Sequence, residues 1–187
     1  VEMRRCLTGF KYIGDIIAEL EEKEGNADSY LLGFEESYGY LSGGYVRDKD
    51  AVDGSMLICE MASYYKRQGK TLVDVMNELY EKYGYFKETQ YTITMKGIDG
   101  ARQIAEIMDK LRKNPPKAFG DLKVEKFRDY LNDVVIDMES GEKTTTGLPK
   151  SNVLYFELPD NAWCCARPSG TEPKIKFYMG VKGNSIE

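Results

Sequence analysis

The spacing of apolar residues changes character near residue 84, and this change divides the chain into two parts. Before it, apolar side chains recur at three- and four-residue intervals. The first run is Phe10, Ile13, Ile16, Ile17 and Leu20; the second is Leu57, Ile58, Met61, Ala62 and Tyr65; the third is Leu72, Val75, Met76, Leu79, Tyr80 and Tyr83. Such stripes predict helices over residues 10–23, 53–68 and 71–83, each turning one face to a core. Gly25 stands where a C-terminal cap belongs, and Thr71 with Asp74 has the spacing of a capping box before Gly84 ends the helix. Between the first two helices, residues 29–34 read as a short buried strand. The following stretch, 35–50, is rich in glycine, tyrosine and charge, and loops of that length are usually functional or disordered.

After residue 84 the pattern becomes strand-like. Residues 91–95 alternate, and 98–113 form an amphipathic helix carrying Ile104, Ile107, Met108 and Leu111, stopped by Pro115-Pro116. Runs at 134–138, 153–158, 163–166 and 175–181 then predict an α+β unit with an antiparallel sheet. The boundary is expected near residues 85–89, giving parts 1–86 and 87–187. No internal repeat is present.

The charge balance, 26 basic against 31 acidic residues and a net −5, argues against a nucleic-acid-binding domain. It leaves room for one phosphorylated small molecule, because local cations and backbone amides suffice for that. There are four cysteines, no C-x-x-C pair and no histidine, so a Cys/His zinc site is not expected. Cys164 and Cys165 should point to opposite faces of a strand as reduced thiols, which fits a cytoplasmic protein. No apolar run is long enough to span a bilayer, so no membrane partner is expected. Residue 1 is valine, which raises the expectation that the chain continues a longer polypeptide.

Four segments carry side chains suited to a sugar phosphate. In Arg167-Pro-Ser-Gly-Thr-Glu-Pro-Lys174, Arg167 offers a planar fork, Ser169 and Thr171 offer hydroxyls, and Gly170 allows close backbone approach. Lys176 follows in the next strand. An ordinary polar turn would use the same residues. In Gly33-Phe-Glu-Glu-Ser-Tyr-Gly39, Glu35 can accept from sugar hydroxyls, Ser37 can donate or accept, and Gly39 frees the exit from the turn. A solvated acidic turn is the plainer account. In Arg47-Asp-Lys-Asp50, a lysine could steady charge during phosphoryl transfer, or the segment could be a salt-bridged surface turn. Thr8-Gly9 opens the first helix with a hydroxyl and free amides, as a plain N-cap also would.

Taken together and in this order, the segments resemble the α-D-phosphohexomutase superfamily, most closely its phosphoglucomutase branch, from Thr8 to about Val181. The resemblance implies an α/β and α+β chain. Residues 1–86 would be the C-terminal portion of a third α/β domain. Residues 87–187 would be a complete fourth domain, α+β, with an antiparallel sheet flanked by helices. It implies interconversion of glucose 1-phosphate and glucose 6-phosphate by an isomerase of the phosphotransferase kind. That reaction uses an active-site phosphoserine, a magnesium ion and a hexose 1,6-bisphosphate intermediate.

By the same resemblance, Glu35 and Ser37 match the sugar loop, and Thr8 and Gly9 match a second substrate-contacting turn. Lys49 matches a catalytic lysine, and Arg47 beside it is expected to bind substrate. Arg167, Ser169, Gly170, Thr171 and Lys176 match the phosphate loop. The catalytic-serine loop and the metal loop are not found in this sequence, so no metal ligand is assigned. Those parts are expected from N-terminal domains of the same polypeptide, without which this chain should be inactive. Glycine or tyrosine stands where mannose-preferring members often carry histidine, which favours glucose. Phosphomannomutase, phosphopentomutase, bisphosphate synthase and a non-catalytic phosphosugar-binding module are the alternatives.

Overall fold

The computed structural model describes all residues except 96, 171, 186 and 187. The chain forms two compact units, Val1–Glu78 and Leu79–Glu187.

In the first unit, helix α1 (Phe10–Glu24) begins after Gly9, whose φ of 131° is one that glycine tolerates best. It ends at Gly25, whose left-handed conformation returns its N–H to Glu21 O. Phe10, Ile13 and Ile17 form the small core of this unit with Leu41. Strands β1 (Leu32–Phe34) and β2 (Tyr40–Ser42) pair as an antiparallel hairpin, so part of the expected long loop is ordered. The expectation of a buried first strand is corrected. Only Gly33 of β1 is buried, while Leu32 and Phe34 are exposed, because two strands have a covering layer on one face at most.

Helix α2 (Ala51–Lys66) and helix α3 (Leu72–Tyr83) lie close to their predicted spans. Asp50 caps α2 by accepting from Val52 N and Asp53 N. Thr71 and Asp74 form the expected reciprocal box, with Thr71 N to Asp74 Oδ2 at 2.7 Å and Asp74 N to Thr71 Oγ1 at 3.2 Å. Their apolar stripes are not core-facing as the periodicity predicts. Neither helix has a buried residue, and Ile58, Met61, Met76, Leu79 and Tyr83 are exposed. Leu57, Ala62, Tyr65, Leu72, Val75 and Tyr80 of those stripes are half-buried.

The second unit is built on a seven-stranded antiparallel sheet. Its strands are β3 (Tyr85–Thr94), β6 (Lys126–Asp129), β7 (Val134–Asp137), β8 (Lys143–Thr144), β9 (Leu154–Glu157), β10 (Trp163–Pro168) and β11 (Lys174–Gly183). They lie in the order β3-β11-β10-β9-β6-β7-β8. Helix α4 (Ile98–Lys113) lies between β3 and a two-residue hairpin of β4 (Ala118–Phe119) and β5 (Leu122–Lys123). It buries Ile104 and Met108 against Phe127, Leu154, Phe156, Cys164, Ala166 and Ile175. The core therefore occupies one sheet face, and the alternate residues of β9, β10 and β11 point the other way. Cys164 is buried and Cys165 half-buried, on opposite faces of β10.

Candidate functional site

In the first unit three segments converge. The turn after β1 is closed by Glu35 N donating to Gly39 O and Tyr38 N to Glu35 O. Tyr38, at φ 66°, takes the left-handed conformation, and Gly39 does not. The expected freeing role of Gly39 is thus corrected: its backbone angles suit any residue. What Gly39 provides is room. A Cβ there would lie 2.8 Å from Lys49 Cδ and 3.0 Å from Glu35 Oε2, so Glu35 and Lys49 share one small space.

The Lys49 ammonium lies 3.2 Å from Asp48 Oδ1 and 5.9 Å from the ring centre of Phe10. Backbone and side-chain bonds from Lys49 hold the Asp48 carboxyl below its usual range. Cys6 sits on the other flank of Thr8-Gly9. Burial pushes its thiol up, with a further contribution from the Glu35 charge. Phe10, the residue after Gly9, has the Lys49 ammonium over its ring. Ser37 and Thr8 are exposed.

The loop bearing Lys49 is tied down at both ends. Asp53 accepts from the N–H and hydroxyl of Ser42 at 2.6 Å each, and Asp50 N donates to Tyr40 O. Tyr45 donates to Asp50 Oδ2 at 2.8 Å, which pushes its phenol up to about 12. The backbone N–H of Asp53 is the main cause holding the Asp50 carboxyl below its usual range. Arg47 donates to Gly44 O at 2.6 Å and pairs with Glu21 on α1. Its carbonyl lies 2.9 Å from where a Cβ on Gly14 would sit. Arg47 thus anchors the loop to α1. Sequence reasoning missed Asp50, Asp53 and Tyr45; an aspartate just before a helical stripe was the available signal.

In the second unit, Arg167, Ser169, Gly170 and Lys176 lie on the β10–β11 hairpin and its connection. Arg167 is directly opposite Lys176 in the antiparallel register, and Lys176 is in turn opposite Thr92 of β3. Side chains of such a pair emerge on one face with Cβ atoms roughly 5 Å apart, and like charges placed so are unfavourable. Among the described residues neither cation has a salt-bridge partner, whereas Lys174 pairs with Glu172 and Arg128 with Glu157. Ser169 N donates to Lys174 O at 2.8 Å, and Ser169 Oγ accepts from Glu172 N at 3.3 Å. Gly170 is exposed, with open space where a Cβ would be. Thr171 lies outside the described residues. Two cations beside an open hairpin tip can hold a dianion.

An open hollow of about 680 Å³ in the first unit, lined in part by Glu21, Asp28, Tyr30 and Tyr45, contains none of the candidate residues. Among the described residues no group of three or more acidic or thiol side chains is placed to hold a metal. Asp48, Asp50 and Asp53 are each committed to Lys49, the cap of α2 and Ser42, so they do not fit a magnesium site. Among the described residues no helix is long and apolar enough to cross a membrane.

Residues 1–83 match the family model described as phosphoglucomutase/phosphomannomutase, alpha/beta/alpha domain III. The phosphoglucomutase of Staphylococcus aureus (strain bovine RF122 / ET3-1) is 41% identical over 182 residues, 97% of this chain and 32% of that protein. That of strain MSSA476 is 41% identical over 187 residues, 100% of this chain and 33% of that protein. The open-form crystal structure of the exocytosis-sensitive phosphoprotein pp63/parafusin (phosphoglucomutase) from Paramecium matches with a TM-score of 0.60 at 17% identity. The match covers 96% of this chain and 29% of that one, and it is a likeness of fold. The chain spans about a third of the length of the curated relatives it matches.

Proposed function

We propose that these residues form the sugar-reading and phosphate-holding part of a cytoplasmic phosphoglucomutase. The observation that carries the reading is the register of Arg167 against Lys176. Two cations held face to face without an acidic partner are unfavourable until an anion lies between them. A phosphate dianion meets that need, with the arginine fork binding two of its oxygens.

In this reading, Arg167, Lys176, Ser169 and the backbone at Gly170 and Thr171 hold the phosphate that is not transferred. Glu35 accepts from sugar hydroxyls, and Ser37 adds a second polar contact. Thr8 and Gly9 complete that side through exposed hydroxyl and backbone groups. Lys49, kept near Glu35 by the loop that Arg47 anchors, stabilises charge that develops as a phosphoryl group moves. The 1–86 and 87–187 parts correspond to a portion of domain III and to the fourth domain. The phosphoserine, magnesium and the handling of the hexose 1,6-bisphosphate belong to the remaining length of the relatives. Glucose is favoured over mannose because the sugar loop ends in glycine and tyrosine with no histidine.

The test is a chimera in which these residues replace the matching third of the Staphylococcus aureus phosphoglucomutase. Conversion of glucose 1-phosphate to glucose 6-phosphate, with an Arg167→Ala form raising KM by roughly 10- to 100-fold, is expected for a lost charge-assisted contact. A folded chimera without mutase activity, or one indifferent to Arg167→Ala, would overturn the reading. Faster turnover of mannose 1-phosphate would move the assignment to a phosphomannomutase.

A further inference from the structure

Gly39 is buried, lies outside the left-handed region, and is followed at once by strand β2. A residue with a side chain could adopt its backbone angles, so the dihedral does not account for glycine here. The space around it does. The nearest atoms to a Cβ at this position are Lys49 Cδ at 2.8 Å, Glu35 Oε2 at 3.0 Å and Lys49 Cβ at 3.3 Å. All three are side-chain atoms of the two residues that the proposed function places against substrate. Optimal carbon–carbon separation begins at about 3.5 Å, so a methyl group here drives the Lys49 stem back by roughly 0.7 Å.

We propose that Gly39 is a positioning residue whose missing side chain lets Lys49 lie across the 35–39 turn beside Glu35. The inference rests on the reading that Glu35 and Lys49 face the sugar phosphate. It adds the reason the two keep a fixed spacing: the lysine stem packs on the bare Cα of the sugar loop. The loop that reads hydroxyls and the cation therefore move together. The Lys49 loop is itself anchored, through Arg47 to Glu21 and through Asp50 N to Tyr40 O, so the lysine cannot follow a displaced turn freely.

The three atoms nearest a methyl group at Gly39 belong to side chains, and the two closest, Lys49 Cδ and Glu35 Oε2, lie beyond the Cβ of their own residues. Gly39→Ala is therefore expected to fold with the Lys49 stem displaced. In the full-length enzyme it should lower kcat on the order of 10- to 100-fold, the scale of a sub-ångström to 1 Å misplacement of a catalytic group. KM should change far less. In a Lys49→Ala background, the same substitution should change kcat by less than about twofold, because coupled residues are not additive. NMR of this chain should show the Lys49 side-chain resonances moving in Gly39→Ala, since the ammonium lies 5.9 Å from the Phe10 ring centre.

Equal losses in both backgrounds would mean general damage to the turn and would overturn the proposal. So would unmoved Lys49 resonances, or normal turnover in Gly39→Ala where Lys49→Ala is impaired. Full turnover in Lys49→Ala alone would instead remove Lys49 from the site, and the reading of that site would fall with the inference.

Discussion

Arg112 Nε lies 3.0 Å from Asp129 Oδ2, joining the last turn of α4 to the end of β6 through a carboxylate that is almost wholly buried. Leu131 N and the side chain of Asn132 also donate to Asp129, and Arg112 reaches Asn152 Oδ1 at 2.7 Å. Removing the guanidinium leaves a buried charge with fewer partners, which typically costs about 3–5 kcal/mol. Arg112→Ala should therefore lower the urea midpoint of the second unit markedly. Arg102→Ala, which breaks only exposed helix pairs, should cost less than about 1 kcal/mol. Similar midpoints for the two variants would contradict this ranking.

The Tyr45–Asp50 bond gives the first unit a dependence on alkaline pH. Folding raises the Tyr45 phenol to about 12, mainly through its bond to Asp50. An acid whose folded pKa is raised adds stability that is complete below its unfolded value, near 10, and is lost as pH rises toward 12. Side-chain carbon NMR should find Tyr45 titrating well above the ordinary tyrosine value near 10. Asp50→Asn should bring it back toward that value, and a wild-type Tyr45 that titrates there would show the bond to be absent.

Thiol chemistry should report burial in a fixed order. Cys59 is exposed on α2, Cys6 is half-buried with its thiol pushed up, and Cys164 is buried with its thiol at about 11. Because the thiolate is the reactive form, an alkylating reagent at about pH 8 should label Cys59 first and Cys164 last. Mass spectrometry of peptides over time reads the order directly. Early labelling of Cys164 would mean that the α4-facing side of the sheet opens far more readily than its packing implies.

The capping box offers a local test. Thr71→Ala removes the acceptor for Asp74 N and one donor to Asp74, and should cost about 1 kcal/mol. An unchanged unfolding midpoint would show that α3 takes its stability from elsewhere.

Elements set by local chemistry were legible in the sequence. Thr71 and Asp74 needed only their own spacing, and the stripe Ile104, Ile107, Met108 and Leu111 identified the face of α4 that packs on the sheet. Nonlocal causes were not legible. Strand β3 begins at Tyr85, not 91, because all ten of its residues pair with β11, whose partners lie 80 to 98 positions away in the chain. The stripes of α2 and α3 carried no information on whether anything covers them. At the candidate site the residue types could be named, yet their grouping could not. The opposition of Arg167 and Lys176 depends on the length of the hairpin connection, and the role of Gly39 depends on Lys49, which is ten residues on.

The most direct test of the central claim is an NMR titration of this chain with glucose 1-phosphate, following backbone amides in the wild type and in Arg167→Ala. Saturable shifts gathered at Arg167, Ser169, Gly170 and Lys176, and abolished in Arg167→Ala, are the predicted result. An absence of shifts there, or shifts spread over lysines throughout the chain and indifferent to Arg167→Ala, would contradict it.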